Sequence, residues 1–319
     1  VKRHLLATST WPSNDPISLA EAKAVLLRSK AGNNVAIRFH TQPWRELWLQ
    51  AADEVGMMVV DEAAFWCDSA GAYAYGNPRF WQNYKTHLEA MVRRDRQHSS
   101  VVMWSLENEL LHCGAARYDP NVEQNLGFMA RCVRDLDPTR LLTFEADLDP
   151  AGQADVIGLH YPHEMPDFTD YPNTADWLGS ETVTGTGGGI LGSRSASFRW
   201  DRRKPLYIGE YLWVPASGPY PGTVFFGDEA FTNPDAFHQK AQAAAWVDQI
   251  LAYRRAGVSA QCPWTTGLPL KAGDDRSSLF LAQKGAYEPV AAFSREKTSR
   301  LFAGSTLNRV ERTGVKLES

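Results

Sequence analysis

Eight short apolar runs alternate with longer amphipathic stretches along most of the chain, and this alternation restricts the fold more than any other feature. Parallel strands need a crossover of a dozen or more residues, usually a helix, so the pattern implies βα units and a parallel sheet. The runs are RHLLATS (3–9), NVAIRFH (34–40), MMVVDEA (57–63), VVMWSL (101–106), LLTFEA (141–146), DVIGLHY (155–161), PLYIGEY (205–211) and VSAQCPW (258–264). Several are nearly continuous in apolar residues, as strands covered on both faces are.

Helical periodicity fills the gaps. Ser18 with Glu21 three residues on forms a capping box, and Gly32 closes the helix it opens. Pro43 opens a helix in which Trp44, Leu47, Trp48, Ala51 and Val55 share one face. Trp81, Tyr84, Leu88 and Met91 mark a third helix, and Val122, Leu126, Met129, Val133 and Leu136 a fourth that Pro138 ends. Asn233-Pro234 caps a long helix over 235–256, and 287–302 reads as a closing helix. The fold class is therefore α/β, a (β/α)8 TIM barrel over residues 1–303 with 304–319 as a C-terminal tail or linker. A chain of 319 residues accommodates one such barrel, which takes about 250. The connection between strands five and six is too short for a full helix, whereas those after strands six, seven and eight are long. Long connections after strands lie on the face where barrel active sites form. The TGTGGG run (184–189) reads as a loop and not a phosphate cradle, because it does not join a strand directly to a helix.

Composition excludes several functions. Net charge is −4 with no basic stripe, so no nucleic-acid partner is expected. No apolar run approaches the roughly 18 residues of a membrane span, so no membrane partner is expected either. The 8 histidines form no HxH or clustered ligand set, and the 4 cysteines form no CxxC pair, so neither a metal nor a cofactor is expected. Cys132 and Cys262 read as buried thiols, while Cys67 and Cys113 sit in neighbouring loops and are open to pairing. The 11 Trp, 11 Tyr and 14 Phe are mostly core packing, but flat sugar faces also stack on such rings. No signal peptide opens the chain as given; secreted and periplasmic placements both fit, and localisation and oligomeric state stay open.

Two carboxylates stand out by position. Glu109 follows the fourth run in WSLENEL, and Glu210 ends the seventh in YIGEY. Strands four and seven lie across a barrel mouth from each other, and polar residues at the strand ends there carry catalysis. Glycoside hydrolysis needs two such groups flanking one bond, about 5 Å apart when configuration is retained. His40, His160, Asp61 and Glu62 also sit at strand ends and read as substrate or supporting groups, or as structural ion pairs. Glu145 and Asp147 are weaker candidates for a sugar contact, and Trp66 and Trp213 for cleft walls.

The segments DRQHSSVVMWSLENE (95–109), NNVAIRFHTQPWRELWLQAADEVGMMVVDEA (33–63), GLHYP (158–162) and PLYIGEY resemble glycoside hydrolase family 2, the β-galactosidase, β-glucuronidase and β-mannosidase family. The resemblance implies a retaining β-glycoside hydrolase with Glu109 as acid/base and Glu210 as nucleophile of a covalent glycosyl-enzyme. It implies that Asn108 contacts the sugar 2-hydroxyl and that Arg38 keeps the nucleophile ionised. It further implies that Tyr161 hydrogen-bonds the nucleophile and that Trp264 floors the sugar site. The expected substrate is an oligo- or polysaccharide, cleaved by exo action on a β-galactoside or related β-linked sugar. An endo-acting mannanase or agarase, or a glycan-binding barrel without catalysis, are the alternatives. Two departures matter. Glu107 stands where the family commonly has Gly, and the Asn-x-Lys element of β-glucuronidases is not evident, since Lys271 lacks the asparagine. The β-sandwich domains usual before the barrel are missing from this chain, which fits an excised piece with those domains as partners, a processed product or a minimal relative.

Overall fold

The computed structural model describes residues 5–10, 18–31, 34–66, 75–115, 119–160, 200–211, 227–233 and 250–263. They form β1 (Leu5–Thr10), α1 (Leu19–Ala31), β2 (Ala36–Phe39), α2 (Glu46–Val55), β3 (Met58–Glu62), α3 (Pro78–Asp95) and β4 (Val101–Asn108). There follow α4 (Val122–Leu136), β5 (Leu141–Glu145), β6 (Ile157–His160), β7 (Leu206–Tyr211), α5 (Asp228–Thr232) and β8 (Ala260–Pro263). Every strand falls inside or within two residues of its apolar run. Only a 3₁₀ turn (Pro150–Gly152) lies between β5 and β6, as the short connection required. Of the helix expected over 235–256, residues 250–256 are helical and the rest lies outside the described residues. The chain after β6 (161–199), the closing helix and the tail also lie outside them.

All eight strands join one parallel sheet in the order β5-β4-β3-β2-β1-β8-β7-β6. Its two ends meet. The amides of Asp155 and Val156 donate to the Leu142 carbonyl at 2.9 and 3.2 Å. A Cβ on Gly158 would overlap the Phe144 carbonyl oxygen, so only glycine permits this approach of β6 to β5. The sheet is thus closed into a TIM barrel.

Local chemistry explains the elements. Ser18 and Glu21 make the reciprocal capping box at α1: the Ser18 amide donates to Glu21 Oε2 at 2.7 Å, and the Glu21 amide to Ser18 Oγ at 3.2 Å. Asn77 caps α3 by accepting from the Arg79 amide, with Pro78 in the first helical turn. The strands then sort their side chains by alternation. On β2, Ile37 and Phe39 face outward and pack with Leu26, Trp44, Trp48 and Leu49 under the helices. Ala36 faces inward with Val60, Met103, Val156, Tyr207 and Cys262, an apolar plug drawn from several strands. Arg38 and His40, the next inward positions, therefore rise above that plug toward the C-terminal ends of the strands. No helix among the described residues is long and apolar enough to cross a membrane.

Candidate active site

The strand ends deliver six charged or titratable groups to one buried cluster: Arg38 from β2, Glu62 from β3, Glu109 after β4, Glu145 from β5, His160 from β6 and Glu210 from β7. Four are carboxylates. A buried charge without a partner is costly, so the two cations decide the arrangement.

Arg38 is fully buried and acts as a hub. Its Nε and Nη2 donate to Glu62 Oε2 and Oε1 at 2.6 and 3.1 Å, a bidentate fork. Nη1 donates to Glu210 Oε1 at 2.7 Å. Nη2 also donates to Asn108 Oδ1 at 2.7 Å and lies 3.1 Å from His40 Nδ1. Burial opposes the guanidinium charge, but Glu145, Glu62 and Glu210 outweigh it and hold the group well above its ordinary range. Conversely, burial would raise Glu62, and Arg38 and His40 overcome this to hold it below the usual carboxylate value. Since Asn108 Oδ1 is committed to Arg38, the amide orientation is fixed and Nδ2 is its remaining donor.

The second cation is His160. Nδ1 bonds Glu109 Oε1 and Nε2 bonds Glu145 Oε2, both at 2.9 Å. Burial works against a charged ring, yet the charge of Glu210 and the hydrogen bonds to Glu109 and Glu145 prevail, pushing it up to about 10. His160 is an imidazolium donating from both nitrogens. Trp66, 44% exposed, donates its Nε1 to Glu109 Oε2 at 3.3 Å. One oxygen each of Glu109 and Glu210 and a ring nitrogen of His160 all lie within 4.8 Å of one another. This is the one grouping of three such donors among the described residues.

Backbone irregularities make this geometry possible. In a regular strand Asn108 and Glu109 would face opposite sides. The β4 ladder shifts register between Ser105 and Asn108, and Glu109 has a left-handed φ of 64°, which re-aims its side chain. Across the barrel, Gly209 precedes Glu210. A Cβ there would overlap Glu145 Oε2 and lie 2.8 Å from His160 Nε2, so glycine is what lets these two groups sit beside β7.

Of the residues singled out from sequence, Arg38, His40, Asn108, Glu109, His160 and Glu210 meet in this cluster, with Trp66 at its exposed side. Tyr161, Trp213 and Trp264 lie outside the described residues, as does Cys67, the suggested partner of Cys113. Asp61 does not join the cluster. It is on the outward side of β3, where burial and the neighbouring Asp95 push its carboxyl well above the usual range. The two-residue strand period sends Glu62 in and Asp61 out. Glu145 proves central, as the partner of His160. Sequence reasoning does not single out His112, three residues after Glu109 in ENELLH. It is buried near the charges of Glu109 and Glu210, and burial holds its ring below the ordinary value. Its spacing of three from a strand-end glutamate is the available signal.

Residues 21–267 match the family model described as "Glycosyl hydrolases family 2, TIM barrel domain". A β-galactosidase of Enterobacter cloacae is 26% identical over 226 residues, which cover 69% of this chain and 19% of that protein. The chain thus spans about a fifth of that curated relative. Among solved structures, a family 2 member from Bacteroides cellulosilyticus DSM 14838 aligns with a TM-score of 0.51 at 20% identity, covering 82% of this chain and 28% of that one. The β-D-glucuronidase of Dictyoglomus thermophilum aligns with a TM-score of 0.58 at 17% identity, covering 82% of this chain and 44% of that one. At these identities the structural likeness bears on the fold.

Proposed function

The chain belongs to glycosyl hydrolase family 2, and from that premise we propose that it is a retaining β-glycosidase in which Glu210 is the nucleophile and Glu109 the acid/base. The observation that carries this reading is the approach of Glu109 and Glu210, with one oxygen of each within 4.8 Å. Retaining enzymes need their carboxyl groups about 5 Å apart, whereas inverting ones leave room for an intervening water.

In the first step, one Glu210 oxygen attacks the anomeric carbon while Glu109 gives its proton to the leaving oxygen. The glycosidic bond breaks as the ester bond forms. Arg38 holds Glu210 Oε1 and so fixes which oxygen faces the sugar. His160 holds Glu109 Oε1, and Oε2, which accepts from Trp66 Nε1 on the exposed side, carries the proton in the acid form. Asn108 Nδ2 donates to the 2-hydroxyl, a contact that strengthens in the transition state. In the second step Glu109 takes a proton from water, whose oxygen displaces Glu210 with a second inversion, hence retention. The substrate is a β-galactoside or a related β-linked sugar, taken from a chain end. The curated β-galactosidase relative and the missing Asn-x-Lys element both favour this over a uronic acid.

A panel of aryl β-glycosides, followed by NMR of the first-formed anomer, tests the reading. A β-anomeric product, with turnover abolished by Glu210→Ala, is expected. Glu109→Ala should spare good leaving groups far more than poor ones, because they need less protonation. An α-anomeric first product, or turnover surviving Glu210→Ala, overturns the assignment.

A further inference from the structure

Glu109 occupies a left-handed conformation that costs a non-glycine residue about 1–3 kcal/mol unless its surroundings impose it. The turn after it shows what imposes it. The Glu109 amide donates to the Glu145 carbonyl at 2.9 Å. The next three amides then point at two carboxyl groups: Leu110 at Glu107 Oε2 (3.0 Å), Leu111 at Asp147 Oδ2 (2.6 Å) and His112 at Asp147 Oδ1 (2.8 Å). Asp147 itself sits between two left-handed residues, Ala146 and Leu148, with φ of 64° and 67°. Glu107 and Asp147 are both buried, and Glu107 Oε1 receives no donor.

The titratable groups facing Glu107 are Asp147 after β5, Glu62 on β3 and the Tyr84 phenol on α3, with no cation among them. Two ionised carboxylates in that setting would repel each other in a region of low dielectric. We propose that Glu107 and Asp147 share one proton, held by Glu107 and donated to Asp147, and that this pair clamps the turn carrying Glu109. Both are positioning residues, each acting through the backbone of residues 110–112. Burial first, then the charge of Asp147, raises Glu107 well above the carboxylate range, which agrees with the shared proton. The pair then accepts three amides with one net negative charge instead of two. When the proton leaves at high pH, repulsion opens the clamp and Glu109 loses its aim.

The role at Glu109 rests on the acid/base reading above, whereas the shared proton does not, so two measurements separate them. Infrared difference spectra of the full chain, wild type against Glu107→Gln, should contain a protonated-carboxyl C=O band that the variant lacks. Its absence overturns the shared proton, whatever the enzyme hydrolyses. Kinetics test the clamp. In E107Q the new side-chain amide can still donate to Asp147 and accept from Leu110, so this variant should retain most turnover at neutral pH and keep only the part of the alkaline fall that Glu109 itself imposes as the acid. Glu107→Ala should lose about 10²-fold in kcat on poor leaving groups, the scale of a 1 Å misplacement, and much less on good ones, with KM little changed. Equal loss in E107Q and Glu107→Ala, or loss independent of the leaving group, overturns the positioning role. If wild type hydrolyses no β-glycoside, the functional reading fails while the infrared result still decides the shared proton.

Discussion

The imidazolium of His160 makes a quantitative prediction about stability. Its ring is held at about 10 against an ordinary 6.5, bridging two buried carboxylates at 2.9 Å on each side. At about 1.4 kcal/mol per pH unit, that difference corresponds to roughly 5 kcal/mol favouring the folded protein when the ring is protonated in both states. The sign follows from proton counts. Below the unfolded value both states hold the proton and the full contribution is present. Above it the unfolded chain releases the proton while the folded one keeps it, so stability falls as pH rises, until the folded group also titrates. Between about pH 7 and pH 9 the contribution should shrink by roughly 3 kcal/mol. The perturbation is His160→Gln, similar in reach and without a titrating proton. The assay is urea unfolding followed by tryptophan fluorescence at half-unit pH steps, reading wild type minus variant so that titrations distant from the cluster cancel. That difference should be largest near pH 6 and decline steadily toward pH 10. A difference that is flat with pH, or that grows toward alkaline pH, refutes the imidazolium bridge.

Other outcomes follow from the same cluster. Arg38→Met removes the partner of Glu62 and Glu210 at once; a loss of about 3–5 kcal/mol in urea unfolding is expected, and Arg38→Lys should recover little because an ammonium cannot reproduce the fork. Gly209→Ala forces Glu145 and His160 aside, so stability should fall by about 1–3 kcal/mol and kcat by about 10²-fold; wild-type kcat in this variant would contradict the packing.

The chain's own sequence determined a good deal. Strand alternation and helix periodicity are local properties, carried by residues a few positions apart, so the eight βα-type runs and the capping box at Ser18 could be read directly. The strand-end positions of Glu109 and Glu210 follow from the same local pattern. Which groups would meet was another matter. The inward turn of both Asn108 and Glu109 depends on a register shift in β4 and a left-handed residue, neither of which the two-residue period announces. Glu145 gained its role because His160 arrives from β6 at the seam where the barrel closes, while Asp61, adjacent to Glu62, was carried to the opposite face. Partners separated by 50 or more residues, such as Glu109 and His160, are chosen by which strands abut. A pair of glutamates was therefore legible in the sequence. The imidazolium between the carboxylates, the arginine hub and the glycine that makes room for them were decided only when eight strands closed around a common axis. Closure fixes which buried charges must neutralise one another.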